Sequence, residues 1–199
     1  MNIEINQETL VALYGNSNSE GRKVLRDQLG ERFSEILPVT ERVKTFDDAL
    51  EELGQDHEAV KSYKDIEWKL GEGQEDITAY LKLRVITEAL NEGWHPEFTE
   101  DEYRYYPWYQ LFTQAEIDDM SEERKKEIGL VLWGGSAFIG SSAGLACANS
   151  RNAFSFSSSH YGARLAFKTP ELAIYAAKQF IEIYADFCFR PKQNKEKVG

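Results

Sequence analysis

The stretch FSFSSSHYGARLAFKTPE, residues 154–171, decides the predicted fold. Its first residues alternate apolar and polar side chains at period two, as a strand with one buried face does. Residues 164–168 repeat the alternation, and residues 159–162 form the turn between the two strands. Residues 169–171 (Thr-Pro-Glu) then begin a helix with a capping residue, a first-turn proline and an acid. A strand pair followed at once by a helix predicts an α+β fold.

The segments on either side extend this prediction. The helix that begins at Thr169 is expected to run to about Phe187 and to present a broad apolar stripe to the sheet. Upstream, residues 130–168 contain no Asp or Glu, in a chain that has 34 of them. Residues 103–112 are dense in strand formers, and Pro107 among them predicts an edge strand or a strand broken by a bulge. We therefore expect a small antiparallel sheet covered by a long C-terminal helix.

The chain before the sheet is predicted to be helical. Its clearest helix spans residues 76–91, where an apolar side chain recurs every three or four positions. Residues 57–73 are charged and low in apolar content, and they predict a weak helix and a linker. A capping-box pattern at Thr113 begins a helix that is expected to reach about Glu127. The predicted parts are a helical N-terminal region and linker (1–73), an α+β core domain (74–189) and a flexible basic tail (190–199).

Composition narrows the classes of partner. The chain has 199 residues, of which 42% are hydrophobic and 13% aromatic, enough to bury a core. Its formal charge of −11 disfavours long-range attraction to nucleic acid or to anionic lipid. No secretion signal and no apolar run of membrane-spanning length is visible, so we expect a cytoplasmic protein without membrane contact. Cys147 and Cys188 are far apart, and both are expected to be reduced.

One motif resembles a catalytic one. Residues 140–144 match GxSxG, the pattern of a nucleophile elbow with Ser142 as nucleophile. That chemistry needs a strand, a sharp turn and then a helix, so that the serine projects toward an oxyanion hole. Here the following residues, 145–156, have the pattern of a strand. A turn of small residues is therefore the favoured interpretation, and a small serine hydrolase is only the third hypothesis for function.

No cofactor or metal site is predicted. His57, His95 and His160 are the only histidines, and none has ligand spacing to another or to a cysteine. Adjacent carboxylates on a helix diverge by about 100°, so the acidic pairs do not share one ligand. Phosphate-binding glycine patterns are absent from the sequence.

The acid-free stretch carries the remaining hypothesis for a site. Basic side chains there and aromatic side chains nearby could bind a ligand or a partner, as aromatic and arginine-bearing strands bind single-stranded nucleic acid in several folds. Alternatively, the sheet avoids acids because it packs against acidic helices or another subunit. The candidate residues are Arg151, Arg164, Lys168 and His160, with Tyr106 and Trp108 beside them.

Five segments together carry a resemblance to a known family. They are residues 44–50 (KTFDDAL), 80–86 (YLKLRVI), 89–94 (ALNEGW), 105–108 (YYPW) and 162–168 (GARLAFK). The chain resembles a family of uncharacterised proteins that gut-bacterial genomes encode, often within prophages or other mobile elements. The similarity spans about residues 40–187. This resemblance implies an origin and carries no catalytic residues with it.

Our leading hypothesis is a non-enzymatic binding or assembly protein of phage or mobile-element origin. A protein partner or self-association is the expected interaction. The alternative is an accessory protein that binds single-stranded nucleic acid, which the net charge disfavours.

Overall fold

The computed structural model describes residues 6–30, 32–97, 99, 101–136, 141–153 and 163–188. These residues form a helix-rich fold, as the first half of the sequence predicts. The helices are α1 Gln7–Asn16, α2 Ser19–Leu29, α3 Arg32–Ile36, α4 Val39–Arg42, α5 Phe46–Leu53, α6 Glu58–Glu67, α7 Glu75–Asn91, α8 Gln114–Asp118, α9 Glu122–Glu127, α10 Pro170–Gln179 and α11 Ile181–Cys188. The strands are β1 Arg104–Thr113, β2 Val131–Ser136 and β3 Ser141–Ala153.

Helix α7 is the centre of the main hydrophobic core. It packs against α4, α5, α6, α10 and α11, so side chains on nearly every side of it are buried. Leu83, Val85, Ile86 and Leu90 are all fully buried. The predicted apolar face of this helix is therefore only partly right, because Ile77 at its start is 40% exposed. Contact with several neighbours, and not one amphipathic stripe, sets the burial of this helix.

The three strands pair in the order β1-β3-β2, with both pairs antiparallel. Strand β1 is at an edge, and its register shifts between Trp108 and Tyr109, directly after Pro107. Edge strands tolerate proline because the missing N–H faces away from the ladder. An isolated bridge joins Tyr105 of β1 to Phe167, through N–H···O distances of 3.1 and 2.9 Å. The bridge fixes the start of β1 against the segment that leads into α10.

The predicted single C-terminal helix is two helices. Helix α10 ends at Gln179, the backbone of its C-cap Phe180 leaves helical geometry (φ −114°, ψ 30°), and α11 begins at the next residue. The two helices cover mainly different surfaces: α10 packs chiefly on β1 and β3, whereas α11 packs chiefly on α7. The break lets one segment follow both surfaces. The predicted start is confirmed, because the Thr169 hydroxyl accepts a hydrogen bond from the Leu172 N–H.

Two other predicted elements are corrected. Residues 164–168 are not a strand: Ala163–Leu165 is a 3-10 helix, and Phe167 pairs, among the described residues, through the isolated bridge alone. The expected helix after Thr113 is divided into α8 and α9, because Ser121 caps a second helix by accepting from the Arg124 N–H. In the segment 57–73 the expected helix is present as α6, which buries three side chains, and a loop follows it. Residues 154–162, with the other predicted strand and turn, lie outside the described residues.

Two hydrophobic clusters organise the packing. The smaller one joins α1, α2 and α3 around Leu10, Tyr14, Phe33 and Leu37. The larger one extends from Val39 to Tyr184 and includes side chains of α5 and α6. The predicted boundary between residues 73 and 74 falls within this larger cluster. The segment 39–70 therefore shares its core with the helices and strands that follow it.

Candidate functional site

The candidate residues whose side chains the structure describes do not form one exposed surface. Tyr106 is 4% exposed and faces the core, which corrects its expected role as a stacking platform. The alternation of β1 explains this, since the inward face packs on α10. Trp108 is half-buried, and Arg164 is exposed on the 3-10 helix. Lys168 has its own partner, because its Nζ lies 3.1 Å from Glu92 Oε2.

The remaining candidates lie partly or wholly outside the residues that the structure describes. The backbone of Arg151 lies in β3 opposite Tyr106, while its side chain and all of His160 are outside the described residues. Ser142 is the second residue of β3, not the apex of a turn between strand and helix, so the expected turn is also corrected. A nucleophile elbow needs that strained turn to project its serine. Cys147 lies in the same strand, and Cys188 at the end of α11 is a free thiol.

The strongest electrostatic feature is a group of ion pairs around Arg42. Its side chain is 2% exposed and pairs with Glu52 on one side and Glu92 on the other. Its Nε donates to the Leu37 carbonyl oxygen at 3.0 Å, and its guanidinium lies over the Phe33 ring, 5.4 Å from the centroid. Burial lowers the pKa of Arg42, and the Glu92 carboxylate opposes that effect. The group joins the small cluster to α5 and to the end of α7.

Glu92 is held in an unusual backbone conformation. It is the one residue other than glycine with positive φ among those described (φ 50°, ψ 47°), and it directly follows α7. Such a conformation costs about 1 kcal/mol and persists where surrounding contacts fix it. Here the contacts are the ion pairs of its side chain with Arg42 and Lys168. The strain is therefore explained by structural ion pairs.

A second set of ion pairs links α2 to α5, and it depends on pH. Arg22 pairs with Asp48, whose carboxylate also accepts from the Thr45 and Lys44 N–H groups at 2.8 and 3.1 Å. Burial alone would raise the pKa of Asp48, but the hydrogen bonds from Thr45 and Arg22 outweigh it, and the pKa is lowered. A carboxyl group with a lowered pKa in the folded state stabilises the fold above its ordinary pKa of about 4. That contribution is lost as the pH falls through the folded-state pKa.

Replacing Asp48 by asparagine is therefore expected to have a pH-dependent effect. Near pH 7 the variant should lose about 1 kcal/mol or more of unfolding free energy, because the capping box and the ion pair with Arg22 both weaken. The difference from the parent chain should shrink as the pH falls below about 4, because the carboxyl group protonates first in the unfolded chain and in the folded chain only below its lowered pKa. Urea unfolding at several pH values measures it. A difference that stays constant with pH would contradict the assignment.

A cleft beside the Arg42 group contains two histidines. It has a volume of about 290 Å³ and lies where α5 ends, α6 begins and α7 ends. The His57 Nδ1 accepts from the Ala59 N–H at 3.2 Å, so its proton is on Nε2, a donor and not a metal ligand. His95 Nδ1 lies 3.7 Å from Glu88 Oε2, beyond hydrogen-bond distance. Among the described residues, no group of three or more histidine, cysteine or acidic side chains is arranged to bind a metal ion.

Large apolar side chains are exposed at one end of the fold, and we call this set the apolar end: Ile66, Trp68, Ile77 and Phe187. Their exposed fractions are 38%, 76%, 40% and 38% respectively. The short loop 68–74 joins α6 to α7, which pack together, so the end of α6 and the start of α7 are adjacent. The Tyr80 ring, one turn after Ile77, lies 5.9 Å from the Phe187 ring. This contact places α11 beside them.

Trp68 is the most exposed of these side chains. The Nζ of Lys69 lies 5.1 Å from its ring centroid, and no other ring contact or cation contact to this indole is found among the described residues. Leaving a large apolar side chain in water forgoes about 2 kcal/mol of burial. The sequence pattern did not indicate Trp68 as a site residue, because its neighbours are charged. A lone tryptophan in a charged segment was the available signal, since tryptophan is enriched at the centres of protein interfaces.

A pocket opens beside the apolar end. It has a volume of about 240 Å³ and lies between the loop before α7, the start of α7 and the last turns of α11. Its lining combines the apolar side chains of Ala79 and Ile183 with the charged side chains of Glu75, Lys82 and Asp186. Burial raises the pKa of Asp186, and the charges of Glu182 and Glu75 raise it further, whereas Lys82 opposes them. The pocket is therefore acidic with an apolar wall.

Two findings complete the description of these surfaces. Among the residues that the structure describes, no helix has both the length and the apolar composition needed to span a bilayer. No protein-family model, no curated protein sequence and no solved structure matches this chain.

Proposed function

We propose that this chain is a non-enzymatic binding or assembly protein and that the apolar end is its partner-binding surface. A cytoplasmic location and an origin in a phage or mobile element belong to the same proposal, the origin resting on the resemblance of its sequence. The α+β class of the fold, in which α10 covers the paired strands, is also part of this proposal. The observation that carries the function is the 76% exposure of Trp68 within a set of exposed apolar side chains.

The physical argument starts from what exposed tryptophan does in proteins. Single exposed apolar residues are common, but clustered ones mark contact sites for other proteins. Tryptophan contributes more than other side chains to the centre of such contacts, where removing it costs about 2 kcal/mol or more. Ile66, two residues before Trp68, and Ile77, at the start of the neighbouring α7, are exposed as well, and α6 carries several charged residues, the composition expected of a polar rim.

Self-association is the form of this proposal to test first. Two copies could bury the apolar end symmetrically, since a two-fold contact uses the same patch on both chains. Replacing Trp68 by serine is expected to weaken the dimer by about 30-fold or more in Kd, the equivalent of a loss of about 2 kcal/mol. Folding stability should change by less than about 0.5 kcal/mol, because the side chain is exposed. Sedimentation and light scattering over a concentration series measure the Kd.

A matched control removes exposed apolar area elsewhere. Val24 on α2 is 53% exposed, and its replacement by serine should leave the dimer Kd unchanged. A Kd of about 1 mM corresponds to only about 4 kcal/mol of binding free energy. A chain that stays monomeric up to that concentration would therefore contradict assembly. A dimer that Val24→Ser weakens and Trp68→Ser does not would contradict the assigned surface.

A further inference from the structure

We propose that helices α1, α2 and α3 form a lid that opens as one unit while the rest of the fold stays closed, and that ion pairs to α5 hold this lid down. The lid comprises the three helices and Leu37, whose buried side chains pack on one another in the smaller hydrophobic cluster. Among the described residues, that cluster has no member in common with the larger one. A unit with its own core can open at a lower free energy than global unfolding requires. The apolar end has no residue in the lid, so this movement is separate from the proposed function.

The lid ends at Pro38, because the next helix is attached to the body, the described residues from Val39 onward. Val39 and Val43 belong to the larger hydrophobic cluster. The Tyr175 hydroxyl oxygen, on α10, lies 2.7 Å and 2.8 Å from the carbonyl oxygens of Thr40 and Val43. Helix α4 therefore remains in place when α1, α2 and α3 are released.

Ion pairs between α2 and α5 join the lid to the body, and we call them the latch. Arg22 pairs with Asp48, and its Nη1 lies 3.6 Å from Glu51 Oε2. The Nη2 of Arg26 lies 2.8 Å from Glu52 Oε2. Both arginines lie on α2 and all three acids lie on α5, so opposite charges join the two helices. Polar interfaces within a chain permit relative movement more readily than large hydrophobic ones do.

The latch holds the lid only moderately. Its two arginine side chains are 20% and 32% exposed, so water reaches both of them. An ion pair that water reaches shifts a folding equilibrium by about fivefold or less. The helices of the lid have 10, 11 and 5 residues, and helices shorter than about 12 residues are marginal when isolated. A released lid therefore loses its helical hydrogen bonds together with its contacts to the body.

The closed lid restricts access to Arg42 and to the cleft beside it. Helix α1 packs on α4, and the Arg42 guanidinium, whose side chain is 2% exposed, lies over the Phe33 ring. Ser34 of α3 lines the cleft from the side of the lid. The polar residues that line it from the body are Glu52, His57, Glu88, Glu92 and His95. Opening removes one wall of this cleft and exposes Arg42 to solvent.

Hydrogen exchange of the full chain, measured by mass spectrometry of peptic fragments, tests whether the lid is one unit. The amides of α1, α2 and α3 are expected to exchange at least about tenfold faster than those at the centre of α7. Low concentrations of urea should accelerate the amides of all three helices in parallel, because one opening exposes them. The amides of α4 should behave like those of α7.

A substitution in the body separates lid opening from global unfolding. Ile86 is fully buried in α7 and belongs to the larger cluster. Ile86→Val should accelerate the α7 amides by about fivefold, because a buried methyl group is lost. The lid amides should keep the parent rate, since the body stays folded when the lid opens. Equal acceleration of both sets would overturn the proposal, because the lid would then open only with the whole fold.

The double variant Glu51→Gln/Glu52→Gln tests the latch and leaves the contacts within the lid intact. The lid amides should exchange about fivefold faster or more, because two pairs weaken. The control Glu122→Gln/Glu123→Gln neutralises the same number of charges at the exposed start of α9 and should leave the lid rates unchanged. Circular dichroism checks that both variants fold. Salt at about 1 M should also accelerate the lid amides of the parent chain, with no substitution made.

Three other results would overturn the lid or its latch. Different urea dependences for α1, α2 and α3 would show that these helices fray separately. Lid amides that exchange as fast as those of an unfolded peptide would show that no closed lid exists. Equal rates in Glu51→Gln/Glu52→Gln and its control would show that the ion pairs do not hold the lid. Trp68→Ser should leave the lid rates unchanged, so failure of the partner surface and failure of the lid are separate results.

Discussion

Replacing Arg42 by alanine is expected to lower the unfolding free energy by about 3 kcal/mol, at the lower end of the range for breaking a buried ion pair. The substitution leaves Glu52, whose side chain is 12% exposed, without the guanidinium that neutralises it. Glu52 keeps Arg26 at 2.8 Å and Glu92 keeps Lys168 at 3.1 Å, which places the loss at the lower end. The Leu37 carbonyl oxygen also loses its donor. Urea unfolding followed by circular dichroism measures the loss.

The matched control is a solvent-exposed ion pair on the surface of the fold. Arg124 on α9 pairs with Glu127 at 2.7 Å, with both side chains more than half exposed. Arg124→Ala should cost less than about 0.5 kcal/mol, because solvent screens the pair. If the two arginine variants lost the same free energy, burial of the Arg42 group would not be the cause of its contribution.

A double variant tests whether Arg42 and Glu52 interact energetically in the folded state. Arg42→Met/Glu52→Gln removes the buried positive charge together with one of its partners, so less uncompensated charge remains than after Arg42→Met alone. The double variant is therefore expected to be more stable than the sum of the two single losses predicts, by about 1 kcal/mol or more. Strict additivity would mean that the two side chains do not interact energetically.

The helix starts could be predicted from the sequence because their chemistry is local. The side chains of Thr113 and Thr169 each accept a hydrogen bond from the backbone N–H of the third residue of the helix, as the capping patterns predicted, and Thr45 does the same at α5. After α7, Gly93 has a positive φ of 82°, which glycine at a helix end adopts readily. Each of these features depends on a few consecutive residues, so no tertiary contact is needed to anticipate it.

The candidate surface could not be predicted in the same way. Helix α6 presents only Ala59, Val60 and Tyr63 to the core, too few apolar residues for a clear periodic pattern. The segment was therefore interpreted as a weak helix and a linker, and the exposure of Trp68 after α6 was not anticipated. Conversely, the strand at residues 103–112 was predicted from its strand-forming residues, but which face of β1 would be buried depended on the position of α10. Exposure is a property of the assembled fold.

Residues 164–168 show how a tertiary contact overrides a local pattern. Their alternation predicts a strand, yet within the described part of the chain they pair with a strand only through the bridge at Phe167. A side chain takes the place of that strand: the Asn91 amide, 3% exposed at the end of α7, donates from Nδ2 to the Ala166 carbonyl oxygen at 2.8 Å. Its Oδ1 accepts from the Lys168 N–H at 3.1 Å. One amide thus satisfies two backbone groups of a segment more than seventy positions away.

Replacing Asn91 by alanine is consequently expected to cost about 2–3 kcal/mol, because two backbone groups lose their partner and at least one is buried. The amides of Phe167 and Lys168 should exchange faster with solvent, since the segment between the 3-10 helix and α10 loses its attachment to α7. Asn16→Ala is the matched control: that amide donates to the Ala12 carbonyl oxygen at an exposed helix end, and its loss should cost less than about 0.5 kcal/mol.

Asn91→Asp distinguishes the two hydrogen bonds. Aspartate retains the acceptor for Lys168 but places a carboxylate against the Ala166 carbonyl oxygen, so burial and repulsion should raise its pKa in the folded state. A carboxyl group with a raised folded-state pKa stabilises the fold at low pH and loses that contribution as the pH rises. The variant should therefore be closer to the parent chain near pH 4 than near pH 7, because the protonated acid can donate to Ala166. A pH-independent loss would show that the donor to Ala166 contributes little, and that the contact to Lys168 alone positions the segment.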